Sequence, residues 1–174
     1  MPNYCSYLLK VKGNKENCKK FHAIMEDYDL PKHFWRVFEA NIYNEEETED
    51  GYVMEIDGYC AWSVYSCMCK GLYTYANDNP EKSTSLQEQS LQLGLEIEVY
   101  SEEPGMGFME HFHYKNGEIL ADECRNFSCI WWDKDEYPTF EEFCEEYDLS
   151  GITEEDLNDN DEYCVGGFEW NFSF

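Results

Sequence analysis

Asn116-Gly117 stands between two runs rich in aromatic and apolar residues, Met106 to Tyr114 and Glu118 to Cys124. Asn-Gly at that spacing suits the two-residue turn whose twist matches paired antiparallel strands, so the three pieces predict a β-hairpin. Alternation of period two recurs at Asn3–Lys12, Tyr52–Tyr59, Leu95–Tyr100 and Tyr163–Phe174, where Cys164, Phe168, Trp170, Phe172 and Phe174 mark a final strand. Asn126 to Trp132 reads as a further strand. A chain with this many short alternating runs must close most of its backbone hydrogen bonds in a sheet.

Helical spacing appears between the strands. Asn14 is placed to cap a helix from Lys15 to Tyr28, with Cys18, Phe21, Ile24, Met25 and Tyr28 on one face. Pro31 ends that unit. His33 to Tyr43 reads as extended, and Asn44 to Gly51 as an acidic turn leading into Tyr52–Tyr59. Ala61 to Ala76 is apolar and helical from Ser63 onward, followed by a polar loop with Asn79-Pro80. Ser85 to Leu93 is a short amphipathic helix stopped by Gly94. Pro138 to Leu149 is another, capped by Thr139, with Phe140, Phe143, Cys144 and Tyr147 on one face; Ile152 to Asp161 is irregular. The order predicts an α+β domain with a largely antiparallel sheet. We expect a single domain over 1–174, with a core at 1–132 and an acidic helix, loop and final strand at 133–174 packed on it.

Charge limits function more than fold. The chain carries 38 acidic and 12 basic side chains, a net −26, so its surface repels nucleic acid and anionic membranes and favours basic partners. Apolar residues make up 43% and aromatics 17%, which excludes a disordered acidic chain. The nine cysteines are odd in number, and no apolar leader opens the chain, so they are expected to be reduced and mostly buried in a cytoplasmic protein. The uncharged stretch from Gly58 through Met68 is far short of a membrane span.

Between Asp133 and Glu162 stand fourteen carboxylates and one cation, Lys134, a net of −14 + 1 = −13. Glu141, Glu142, Glu145 and Glu146 share one side of the expected helix, where like charges at this spacing cost helix stability. With Asp148, Glu154, Glu155 and Asp156 they predict a display of negative charge for a basic protein partner. Solubility alone is the competing explanation. Trp131-Trp132 points to opposite sides of a strand, and an exposed Trp among carboxylates is a natural anchor; we nominate Trp132. A second patch, Glu45, Glu46, Glu47, Glu49 and Asp50, extends the display or is an ordinary hairpin tip.

Other chemistry is weaker. Cys60, Cys67, Cys69, His111 and His113 are the candidate zinc ligands, but no CxxC pair exists, and buried thiols with an outward-facing histidine pair is the plainer reading. Asp156, Asn158 and Asn160 have the spacing of the first ligands of an EF-hand loop, but Asp161 replaces the required Gly and Gly167 the terminal Glu. No nucleophile elbow, Walker loop or GxGxxG is present.

Met1-Pro2-Asn3-Tyr4-Cys5 with Leu8, Val11 and Gly13, the tripeptide Ala61-Trp62-Ser63, and the turn Glu102-Glu103-Pro104-Gly105-Met106-Gly107-Phe108 together resemble the YubB-type ferredoxin-like domain family over roughly the first two-thirds of the chain. This chain has Tyr4 where that family usually has Trp, and Met109-Glu110-His111 where a small residue is usual. The resemblance implies a ferredoxin-like sandwich with helices on one face of the sheet, often encoded by phages and plasmids, and no established catalytic residues. Fold alone supplies no function. The reading that joins charge and resemblance is a non-enzymatic inhibitor or nucleic-acid-mimicking decoy of the anti-CRISPR or anti-defence type. It needs no cofactor, and it docks on a basic, nucleic-acid-binding protein, with no direct nucleic-acid or membrane contact. The alternative is a small-ligand or zinc-binding module built on the Cys/His set.

Overall fold

A computed structural model describes residues 3–69, 81–157 and 161–174. Met1 and Pro2 of the family-like opening, the expected helix beyond residue 69, the Asn79-Pro80 loop, and Asn158 and Asn160 lie outside the described residues.

The chain begins with β1 (Tyr4–Gly13). Helix α1 (Lys15–Glu26) follows, its first turn closed by the Asn14 side chain accepting from the Glu16 N–H at 2.9 Å. The helix ends before Tyr28, whose hydroxyl instead donates to the Val37 carbonyl. A long hairpin comes next, β2 (Val37–Thr48) and β3 (Gly51–Ala61). Then come α2 (Val64–Met68), capped by Ser63, and α3 (Leu86–Leu93), capped by Ser85 and stopped by Gly94 in the left-handed conformation. Strands β4 (Glu96–Glu103), β5 (Phe108–Lys115) and β6 (Glu118–Trp131) form a meander. The β5–β6 turn is the expected Asn116-Gly117, both with positive φ (50° and 85°). Helix α4 (Phe140–Glu146), a single 3₁₀ turn at Glu154–Asp156, and β7 (Glu162–Gly166) complete the elements.

All seven strands form one antiparallel sheet in the order β2-β3-β1-β4-β5-β6-β7. The chain is therefore α+β, with a sheet larger than that of the ferredoxin-like fold. One face carries Tyr7, Leu9, Val11, Ile56, Val99 and Phe112, all buried, and packs against α1, α2 and α3.

Three elements differ from the sequence reading. Asn44–Thr48 is not part of a turn but continues β2, paired as far as Thr48↔Gly51. As an edge strand it leaves its carboxylates in water, so their charge costs little, and Lys15 reaches Glu47 at 2.7 Å. Glu118–Cys124 and Asn126–Trp132 are one strand, not two; a register shift opposite His113 and Tyr114 absorbs the irregularity. The final strand stops at Gly166. Gly166 and Gly167, at φ 86° and 69°, turn the chain off the sheet edge, and a Cβ on Gly166 would lie 2.6 Å from the Asn126 carbonyl oxygen.

Residues 168–174 then run as a strap over the second face of the sheet. Phe168, Trp170 and Phe172 all pack around the Tyr100 ring, and the Tyr100 hydroxyl donates to the Asn171 carbonyl at 2.8 Å. The Ser173 N–H donates to the buried Glu98 carboxylate at 2.6 Å, and Phe174 meets His113. The alternation of Phe168, Trp170, Phe172 and Phe174 is real, but it serves face-on packing and not a ladder.

Candidate protein-binding surface

The acidic residues nominated from sequence fall on a small lobe between the end of β6 and β7. Thr139 starts α4 with a reciprocal cap: its hydroxyl accepts from the Glu142 N–H, and the Glu142 carboxylate accepts from the Thr139 N–H. Phe143 is fully buried, its ring 6.0 Å from that of Trp132. That contact fixes the rotation of the helix, so Glu141, Glu142, Glu145 and Glu146 all face solvent. Asp148, Glu154, Glu155 and Asp156 are exposed as well. The Asp156 carboxylate is partly used, accepting from the Thr153 N–H at 2.7 Å.

The lobe's cation is spent elsewhere: Lys134 pairs with Asp161 at 2.7 Å and lies over the Trp132 ring. Among the described residues no Lys or Arg lies within ion-pair distance of the four α4 glutamates, Glu154 or Glu155. The Tyr137 phenol registers the local field, pushed up to about 12 by desolvation and then by the charges of Glu136 and Glu146.

Trp132 is not the exposed anchor. Its ring is 7% exposed, covered by Phe140, Phe143 and Lys134, and its Nε1–H donates to the Tyr137 carbonyl at 2.7 Å. The helix that follows covers its side of the strand. Trp131, directed the other way, is 57% exposed. Strand alternation says that one member of the pair is free; which one depends on where α4 docks.

The cysteines are not all reduced. Cys129 and Cys164 stand opposite each other on β6 and β7, with Cα atoms 4.1 Å apart, and are joined in a disulfide. Their separation of 35 residues gave no local signal. The bond closes the loop that carries α4. Reduction is expected to destabilise the lobe by about 2 kcal/mol, the low end for a loop of this length because the β6–β7 ladder already holds both ends. Urea unfolding with and without reductant, followed by Trp fluorescence, measures it. Seven free thiols in the unreduced, unfolded chain should accompany it, and nine would remove the bond.

The zinc set is divided by the sheet. Cys60 pairs with Cys5 on the helix-covered face; Cys67 donates to the Ala61 carbonyl at 2.9 Å, and Cys69 contacts the Tyr114 hydroxyl at 3.3 Å. His111 and His113 lie on the opposite face, under the strap and not outward. His111 stacks on Tyr100 with ring centres 4.1 Å apart and meets Glu98 at 2.9 Å, while His113 meets Glu96 at 3.1 Å. Cys67 is helical and Cys69 caps that helix, so the two do not form an extended i, i+2 pair, and no group of three or more metal-ligating side chains occurs among the described residues. Burial alone would push the Glu98 carboxyl up; His111 and the Ser173 N–H outweigh it and bring it below the usual range. Glu98 and Glu110, both buried, were missed from sequence, although Glu98 lies in a strand between two buried neighbours, Ile97 and Val99.

No protein family, curated protein or solved structure matches this chain.

Proposed function

We propose that the protein is a non-enzymatic acidic binding protein that docks the α4 lobe on a basic, nucleic-acid-binding protein and competes with its nucleic acid. The observation that carries this reading is a helix whose rotation is locked by Phe143, with four carboxylates in solvent and, among the described residues, no cation within ion-pair distance of them. A surface serving only solubility has no need of a fixed orientation or of an exposed Trp131 at its side. The first four strands, in the order β2-β3-β1-β4 with helices between β1 and β2 and between β3 and β4, support reading the N-terminal part as the ferredoxin-like core that the family resemblance implies. Through that resemblance the concrete form is a phage- or plasmid-encoded inhibitor of a host defence nuclease, acting in the cytoplasm. Among the described residues no helix is long and apolar enough to cross a membrane.

The test is capture of a basic nucleic-acid-binding protein from host lysate by the immobilised chain, compared with the variant E141K/E142K/E145K/E146K. Affinity for the captured protein should fall about a hundredfold in the variant, and should fall steeply with salt for the parent. DNA should compete for the same protein. Equal capture by parent and variant ends the proposal.

A further inference from the structure

The strap covers only part of the second sheet face. It lies over β4 and β5, and the β1–β3–β2 side stays open. There a cavity of about 390 Å³ is bounded by Glu39, Asp57 and Glu102, with the rings of Tyr59 and Trp170 among its walls. The three carboxylates reach it from three different strands, β2, β3 and β4, so it is a product of the fold and not of a charge run. Among the described residues no Lys or Arg lines it. The nearest cation on β1, Lys10, is drawn away, bonded to Glu55 at 3.0 Å and lying over Phe172. Burial pushes the Glu102 carboxyl up, the mark of a carboxylate that lacks a compensating charge.

The surface around the cavity is aromatic. Tyr59 is 46% exposed, Tyr4 60%, Phe38 44% and Tyr43 51%. Tyr4 and Phe38 meet edge to face at 5.5 Å, and Tyr43 is close enough to Glu55 and Asp57 for their charge to raise its phenol after desolvation. Exposed aromatics interleaved with carboxylates are unusual on a surface built for solubility. Divalent metal would use the carboxylates but not the rings. A flat guanidinium uses both: it accepts a ring face on one side and directs its N–H groups at carboxylates in its own plane.

We propose that this cavity seats an arginine side chain from a basic segment of the partner, between Trp170 and Tyr59 and against Asp57 and Glu102. It rests on the reading of the protein as a binder of basic proteins, and gives it a second contact point on the opposite part of the molecule from an acidic helix. The strap thereby acquires a role: it supplies Trp170 as a wall.

The test uses the full chain, ¹⁵N-labelled, titrated with acetyl-Gly-Arg-Gly-amide and with the neutral citrulline peptide of the same shape, in about 0.15 M salt. The arginine peptide should shift the Trp170 indole N–H and the amides from Asp57 to Tyr59, and the citrulline peptide should not. The variant D57N/E102Q, checked for an unchanged spectrum elsewhere, should bind the arginine peptide about tenfold more weakly. E141K/E142K/E145K/E146K should bind it within about twofold of the parent, since α4 is not part of the cavity. Shifts centred on α4, equal shifts with citrulline, or no shift up to about 10 mM peptide would each overturn the assignment. If the α4 variant still captures the basic protein while the cavity behaves as stated, the lobe reading fails alone.

Discussion

Gly58→Ala is expected to destabilise the protein by about 3 kcal/mol or more. Gly58 sits on β3 opposite Tyr7, on the helix-covered face. A Cβ built there would lie 1.9 Å from the Glu39 carbonyl oxygen and 2.6 Å from the Tyr7 hydroxyl. The first of these is backbone of the paired strand β2 and has no rotamer with which to withdraw. The second is the donor that satisfies that same carbonyl, at 2.5 Å. One methyl group therefore has to part β2 from β3 and strand a part-buried acceptor in the same step. Urea unfolding should show a lower midpoint with an unchanged denaturant slope. Tyr7→Phe, which removes the donor without the clash, should cost only about 1 kcal/mol. A midpoint for Gly58→Ala equal to that of the parent would mean that β2 is not held over Gly58 as described.

Glu110→Leu should cost about 3 kcal/mol. Glu110 is 3% exposed on the helix-covered face, and its carboxylate accepts from the Ser101 hydroxyl at 2.8 Å and from the Val64 N–H, at the start of α2, at 2.8 Å. Leucine fills the space but leaves both donors without an acceptor. Glu110→Gln keeps one acceptor oxygen and should cost about 1 kcal/mol at most. The two also differ in pH dependence. Burial pushes the Glu110 carboxyl above its ordinary range, outweighing Ser101 and the α2 N–H groups. A carboxyl raised in the folded state binds its proton more tightly there than when unfolded. Its contribution to stability is therefore greatest below the ordinary carboxylate range and is lost as pH rises toward the raised value. Glutamine has no such proton. The stability difference between Glu110→Gln and the parent should shift in favour of the glutamine variant as pH rises from 4 to 7, measured by unfolding midpoints across that range. A difference that is flat with pH would place Glu110 in contact with water.

Local chemistry made part of this fold legible. Asn14, Ser85 and Thr139 cap helices because their side chains satisfy orphan N–H groups within a few residues, a relation that sequence spacing contains. Asn116-Gly117 fixes its hairpin for the same reason. What stayed hidden depends on distance in sequence. Whether His111 and Cys60 share a face follows from the pairing of β1 with both β3 and β4, which no short window contains. Cys129 meets Cys164 only because β7 returns to β6. Trp132 and not Trp131 is buried because α4 folds back on one side. The carboxylates of α4 were found by counting, and their exposure needed only Phe143 to be apolar. Glu39, Asp57 and Glu102 were invisible as a group, because three strands bring them together.

Strand β6 is fourteen residues long and belongs to two structures at once. Its first half pairs with β5 inside the main sheet, and its last five residues pair with β7 at the base of the acidic lobe. The lobe is therefore a cantilever on a continuous beam, not a tethered arm. A protein that grips α4 meets charges already held in position and has no linker to immobilise, so the entropic toll of association is confined to the glutamate side chains themselves.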